Sequence, residues 1–151
     1  MINYENGCVF EKARESKSQV IIPHICNDIG AWGAGFVLAI SKHWKKPEKE
    51  YRNLKTRPLG DVQFVEVEPH IVIANMISQK GTGFTNGKPP IRYAALKVCL
   101  EKVRNAAISL DAEILAPKFG AGLAGGDWKT IEKLIIEELI NHSIPVTICQ
   151  I

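Results

Sequence analysis

Neither a CxxC pair nor a histidine cluster accompanies the four cysteines, Cys8, Cys26, Cys99 and Cys149, which lie far apart in the chain. That spacing argues against a zinc site and a disulfide scaffold, and the thiols read as free, buried and kept in a reducing compartment. No apolar run approaches the length of a membrane span. The opening Met-Ile-Asn-Tyr-Glu has neither the cationic flank nor the apolar core of a signal peptide. The expectation is a cytoplasmic protein with no membrane partner. Charge of one sign is also scarce: 19 basic residues stand against 16 acidic ones, a net +3. Such a balance favours an anionic ligand slightly, but it is too small and too dispersed to predict a nucleic-acid surface. The densest basic run, Lys42-His43-Trp44-Lys45-Lys46, reads as the solvated end of a helix. Repeats, low-complexity tracts and linkers are absent, and 151 residues fit one domain, 1–151.

What is present is 46% hydrophobic residues in short, patterned runs. Residues 2–5 and 20–25 read as strands, and 34–43 as a helix stopped by Pro47 shortly beyond. Two β-branched runs, 62–67 and 71–77, flank Glu68-Pro69-His70 as a hairpin. Residues 81–90 form a loop rich in glycine and proline. A helix is predicted over 92–110, with Leu96, Cys99, Val103, Ala107 and Leu110 on one stripe. A buried strand over 113–116 follows, then a helix from Asp127, its expected cap, to Asn141, and a closing strand over 145–150. Helices alternating with strands predict an α/β sheet covered on both faces.

Two glycine loops stand out against this frame. The first follows the apolar Val20-Ile21-Ile22: Pro23-His24-Ile25-Cys26-Asn27-Asp28-Ile29-Gly30-Ala31-Trp32-Gly33-Ala34-Gly35-Phe36. The second is Phe119-Gly120-Ala121-Gly122-Leu123-Ala124-Gly125-Gly126, again between an apolar strand and a helix. Strand, side-chain-poor turn and helix N-terminus together bring backbone amides close to phosphate. Two such loops predict a ligand carrying more than one phosphate, held where strands end.

These residues resemble a macrodomain, the ADP-ribose-binding module, over essentially the whole chain, from Tyr4-Glu5-Asn6-Gly7 to Val146-Thr147-Ile148-Cys149. The nearest subgroup is the small macrodomains that include yeast ADP-ribose 1″-phosphate phosphatase and human terminal ADP-ribose protein glycohydrolase. The resemblance implies a three-layer α/β/α fold with a mixed central sheet. It implies that Asn27 holds the distal ribose and that Gly33, Ala34, Gly35 and Phe36 wrap the phosphate beside it. Gly120, Ala121, Gly122, Leu123 and Ala124 would offer amides to the diphosphate from the other side. Cys8 stands where many macrodomains carry an aspartate that bonds the adenine amino group, so the base would be read differently here.

For catalysis the resemblance singles out His24, which matches a histidine of the yeast phosphatase, and Lys80, near a lysine that attacks the distal ribose in the glycohydrolases. His24 at a strand end suits a general base or acid, or else a histidine packed idle under the loop. Lys80 suits a nucleophile of lowered pKa, or else a solvated loop lysine. The glycohydrolase has an acidic residue after its Gly-Leu where this chain has Ala124, leaving the lysine machinery incomplete. Asp127 suits an acid or a cap, and Asp28 a ribose contact or a turn. Trp32 and Phe84 suit ligand walls or plain packing. The favoured expectation is removal of the 1″-phosphate from ADP-ribose 1″-phosphate, with His24 and Asn27 in the site and neither metal nor cofactor. The alternatives are release of ADP-ribose from a macromolecule through Lys80, and non-catalytic reading of ADP-ribose.

Overall fold

Near-continuous burial along the two longest strands decides the architecture. In the computed structural model, which describes residues 1–150, β2 (Gln19–Asn27) and β4 (Ile71–Gln79) are buried at almost every position. A strand apolar on both faces needs cover on both. The other elements provide it: β1 (Asn3–Asn6), α1 (Val9–Glu15), α2 (Phe36–His43), α3 (Lys46–Arg52), β3 (Val62–Glu68), α4 (Tyr93–Leu110), β5 (Ala112–Ala116), α5 (Trp128–Glu138) and β6 (Val146–Gln150), with a 3-10 turn at Ile140–His142.

The strands form one mixed sheet in the order β1-β6-β5-β2-β4-β3. All neighbours run parallel except β3, which pairs antiparallel with β4. On one face α4 and α5 pack Leu96, Leu100, Val103, Ile131 and Ile135 against Ile21, Met76, Ile114 and Ile148. On the other, Val9, Phe10 and Ala13 of α1, Ile40 of α2 and Tyr51 of α3 cover Ile22, Ile73, Ile77 and Leu115. Each fully buried isoleucine or leucine contributes on the order of 1.5–3 kcal/mol. The result is the three-layer α/β/α fold the sequence predicts.

Four details differ from the sequence reading. Residues 9–15 form α1, which that reading passes over. Pro47 does not merely follow a helix: it stands in the first turn of α3, where its missing N–H costs nothing. Asp127 precedes α5, but its carboxylate accepts the Thr130 hydroxyl (2.8 Å) instead of capping a backbone amide, and the helix ends at Glu138. In addition, α2 begins at Phe36, which leaves Ala34 and Gly35 in the loop.

The centre of the sheet is where the chain reverses direction. From β2 it goes to the edge at β3 and back to β4 on one side, and from β5 outward to β6 on the other, so the β2/β5 boundary is the topological switch point. Pairing between these two strands covers only residues 19–21 of β2. Pro23, which has no N–H to give a ladder, comes two residues later. Beyond it β2 stays with β4 alone, and a cleft opens between β2 and the exit of β5.

Candidate functional site

The cleft encloses about 480 Å³ and is lined from both sides by the two glycine loops. His24, Asn27, Gly33, Ala34, Gly35 and Phe36 form one wall, and Gly120, Gly122, Leu123 and Ala124 the other. Cys8, Lys80 and Ala121 are not part of these walls. Cys8 sits just before α1 and packs against the core on that face. The Lys80 side chain is exposed, and its amide is spent on the carbonyl of Pro90 at 2.8 Å.

The first loop is organised by Asn27. A bulge between Cys26 and Asn27 shifts the register against β4 and re-aims the asparagine at the end of the strand. Its Oδ1 accepts the amides of Ile29 (3.1 Å) and Ala31 (3.0 Å), and its Nδ2 donates to Ala31 O at 2.8 Å. Asp28 leaves the cleft and ties the loop to its neighbour by accepting the Gly81 amide at 2.8 Å. Trp32 is core: it is buried and donates its indole N–H to Ser41. Among the described residues, the amides of Gly33, Ala34, Gly35 and Phe36 donate to no protein acceptor.

The second loop is pinned at its ends and open in its middle. Gly126 donates to Gly120 O (2.7 Å) and Gly125 to Gly122 O (3.0 Å). Among the described residues, the amides of Ala121, Gly122, Leu123 and Ala124 have no protein partner. Gly120 is required by two constraints at once: its φ is +83°, and a Cβ there would lie 2.8 Å from Ile25 Cδ1. Unspent N–H groups on both walls are an anion cradle built from backbone.

His24 is 1% exposed and lies beneath the first loop, edge-on to Trp32 and tilted against Phe36. Asn75, wholly buried, donates Nδ2–H to Gln63 Oε1 (3.1 Å), which turns its Oδ1 toward the imidazole. The 2.5 Å contact between His24 Nε2 and that oxygen therefore has the imidazole N–H as donor. Burial pulls the His24 pKa down to about 4, with the Asn75 bond opposing it. At neutral pH the ring is uncharged, with Nδ1 as a lone-pair acceptor, and the Cys26 sulfur lies 4.0 Å from Nδ1 and 3.9 Å from Nε2.

Sequence reasoning missed several wall residues, among them Gln79, Thr82 and Lys118. Lys118 had a legible signal, since it stands between β5 and the second loop. Its Nζ lies 5.9 Å from the Tyr4 ring centroid and 5.8 Å from that of Trp128. Among the described residues no carboxylate lines the cleft, and His24 and Lys118 are the titratable side chains in its walls. Phe84 is exposed and sits over Gly125, outside the walls.

The α/β/α layers and the paired glycine loops at the switch point set a cleft lined with unspent backbone amides at the centre of the sheet. No protein-family model matches the chain. A Bacteroides thetaiotaomicron protein known from its crystal structure is 44% identical over 100% of both chains, with a TM-score of 0.93. A macrodomain protein from Streptomyces coelicolor is 40% identical over 100% of this chain and 99% of its own, with a TM-score of 0.84. The ADP-ribose 1″-phosphate phosphatase of Candida albicans is 26% identical over 148 residues, 91% of this chain and 93% of that protein. This chain belongs to the macrodomain family.

Proposed function

We propose that the cleft binds ADP-ribose or a 1″-modified derivative and that the protein removes the phosphate from ADP-ribose 1″-phosphate. The observation that carries the binding half is the pair of loops whose free amides face one cleft from both sides. Backbone donors held in place by a rigid fold stabilise phosphate charge without reorganising. Lys118 adds a cation at the rim. The likeness to the Candida albicans phosphatase supports the reaction.

In that reaction water adds to phosphorus, the bond from phosphorus to the 1″ oxygen breaks, and inorganic phosphate leaves ADP-ribose behind. The leaving oxygen takes up a proton as water gives one up. His24, neutral with an unprotonated Nδ1, is suited to accept a hydrogen bond from the water and not to donate a proton. Asn27 fixes the loop that meets the distal ribose. The test is phosphate release from ADP-ribose 1″-phosphate by the wild type and His24→Ala. Loss of release with ADP-ribose binding kept supports the assignment; equal release removes His24 from the mechanism.

One observation favours a second reading. A cleft without a carboxylate in its walls is rich in binding groups and poor in proton carriers. A non-catalytic reader of ADP-ribose has these features. It predicts binding of ADP-ribose with no phosphate released from the 1″-phosphate.

A further inference from the structure

We propose that Tyr51, a residue of α3 outside the cleft, is a positioning residue that sets the Asn27 carboxamide for ligand capture, a role that rests on the binding reading above. Tyr51 is fully buried. Its hydroxyl lies 2.5 Å from the backbone oxygen of Asn27 and 2.7 Å from Asn27 Oδ1. One O–H is thus shared between the main chain and the side chain of the same asparagine. With the Ile29 and Ala31 amides already on Oδ1, three donors converge on that oxygen.

The consequence for the cleft is specific. A carboxamide can turn over and exchange its oxygen for its nitrogen. Here the oxygen is saturated and one N–H is spent on Ala31 O. The second Nδ2–H is the polar group of the Asn27 side chain left for a ligand. The Ile29 and Ala31 amides, which can only donate, fix which end carries the oxygen, and the Tyr51 hydroxyl adds a third donor that holds that oxygen in place. Burial pushes the Tyr51 phenol well above its ordinary range, so it remains a donor at every working pH.

Arg57 holds the tyrosine from behind. Its guanidinium carbon is 4.9 Å from the centroid of the Tyr51 ring, and Nη2 donates to the carbonyls of Tyr51 (3.0 Å) and Arg52 (3.1 Å). The same guanidinium packs against Gly30, where a Cβ would lie 2.8 Å from its central carbon. A connection therefore runs from Arg57 through Tyr51 to Asn27, with the arginine also bracing the turn that Asn27 organises.

Tyr51→Phe keeps the ring under Arg57 and removes only the hydroxyl. Loss of one such bond should weaken ADP-ribose binding by about three- to tenfold. A merely structural role would add this loss to that of Asn27→Ala, whereas a residue acting through Asn27 adds nothing once Asn27 is gone. The decisive binding result is therefore a double-mutant cycle by calorimetry in which Tyr51→Phe has no further effect in the Asn27→Ala background. Additive losses overturn the proposal. A second readout needs no ligand: nitrogen-15 NMR of the Asn27 side-chain amide. In the wild type its two protons should exchange slowly with solvent, and in Tyr51→Phe at least tenfold faster. An unchanged exchange rate overturns the proposal. If the wild type binds no ADP-ribose, the functional reading fails and the NMR comparison alone decides whether Tyr51 sets the carboxamide.

Discussion

Leu123 reaches across the mouth of the cleft to Gly35: a Cβ on Gly35 would lie 3.1 Å from Leu123 Cδ1. The two glycine loops, almost ninety positions apart in sequence, touch at this point. Leu123 is 65% exposed although it lines the cleft, so it forms part of a bridge over the ligand space and not part of the core.

Gly35→Ala tests that bridge. Gly35 has φ +80° and ψ −147°, a region essentially closed to other residues, so the strain alone is about 1–3 kcal/mol. Since the strain falls on the loop that meets the ligand, calorimetry should show ADP-ribose affinity reduced about tenfold or more. Gly83→Ala is the control, because it lies outside the cleft walls and a Cβ there meets nothing within 4 Å. Its affinity should stay within about twofold, below one weak contact. Equal losses in both variants would refute the bridge.

His24 should leave a signature in acid stability. The ring has an ordinary value of 6.5 when unfolded and about 4 when folded. Between those values the unfolded chain binds more protons, so stability is full above 6.5 and is lost as pH falls toward 4. The gap corresponds to about 3 kcal/mol. Denaturant midpoints of the wild type and His24→Gln at pH 7 and pH 4.5 check this. The wild type should lose more than the variant, which lacks the titrating ring. Parallel losses would mean that the imidazole is not held neutral. If His24 also serves the reaction, the acid limb of the rate profile should lie near pH 4, well below an ordinary imidazole.

Lys80→Ala should leave phosphate release within about twofold of wild type, as expected for an exposed side chain away from the reacting atoms. Lys80 lies outside the cleft walls, and no carboxylate follows Leu123. A loss of tenfold or more in turnover, with folding intact, would bring lysine chemistry back.

Gly120→Ala should act on stability first. Its Cβ would meet Ile25, Ile131 and Ile91 at 2.8, 2.9 and 3.0 Å, and φ is +83°. Crowding a packed core costs about 1–3 kcal/mol. Thermal melts should therefore show a clear drop, and an unchanged midpoint would contradict the packing described here.

The architecture was legible because its signals are local. Apolar runs of strand length, glycine loops after them and the stripe on α4 follow from chain periodicity. So did most of the cleft walls, since both loops sit at strand exits and parallel sheets bind there. What stayed hidden depends on tertiary contact. The short α1 has too few turns to show a clear period, and Pro47 is a stop signal in one context and a helix opener in another. Asn75 and Tyr51 carry no motif; each matters because folding places it against His24 or Asn27. Burial of His24 was likewise not readable, since a histidine at a strand end looks the same whether its ring meets solvent or Trp32.

The most direct test of the central claim is a phosphorus NMR titration of ADP-ribose with the wild-type protein. Both diphosphate resonances should shift and broaden as the two loops take hold of the phosphates, saturating at one equivalent. Resonances that stay at their free positions at millimolar protein would contradict it.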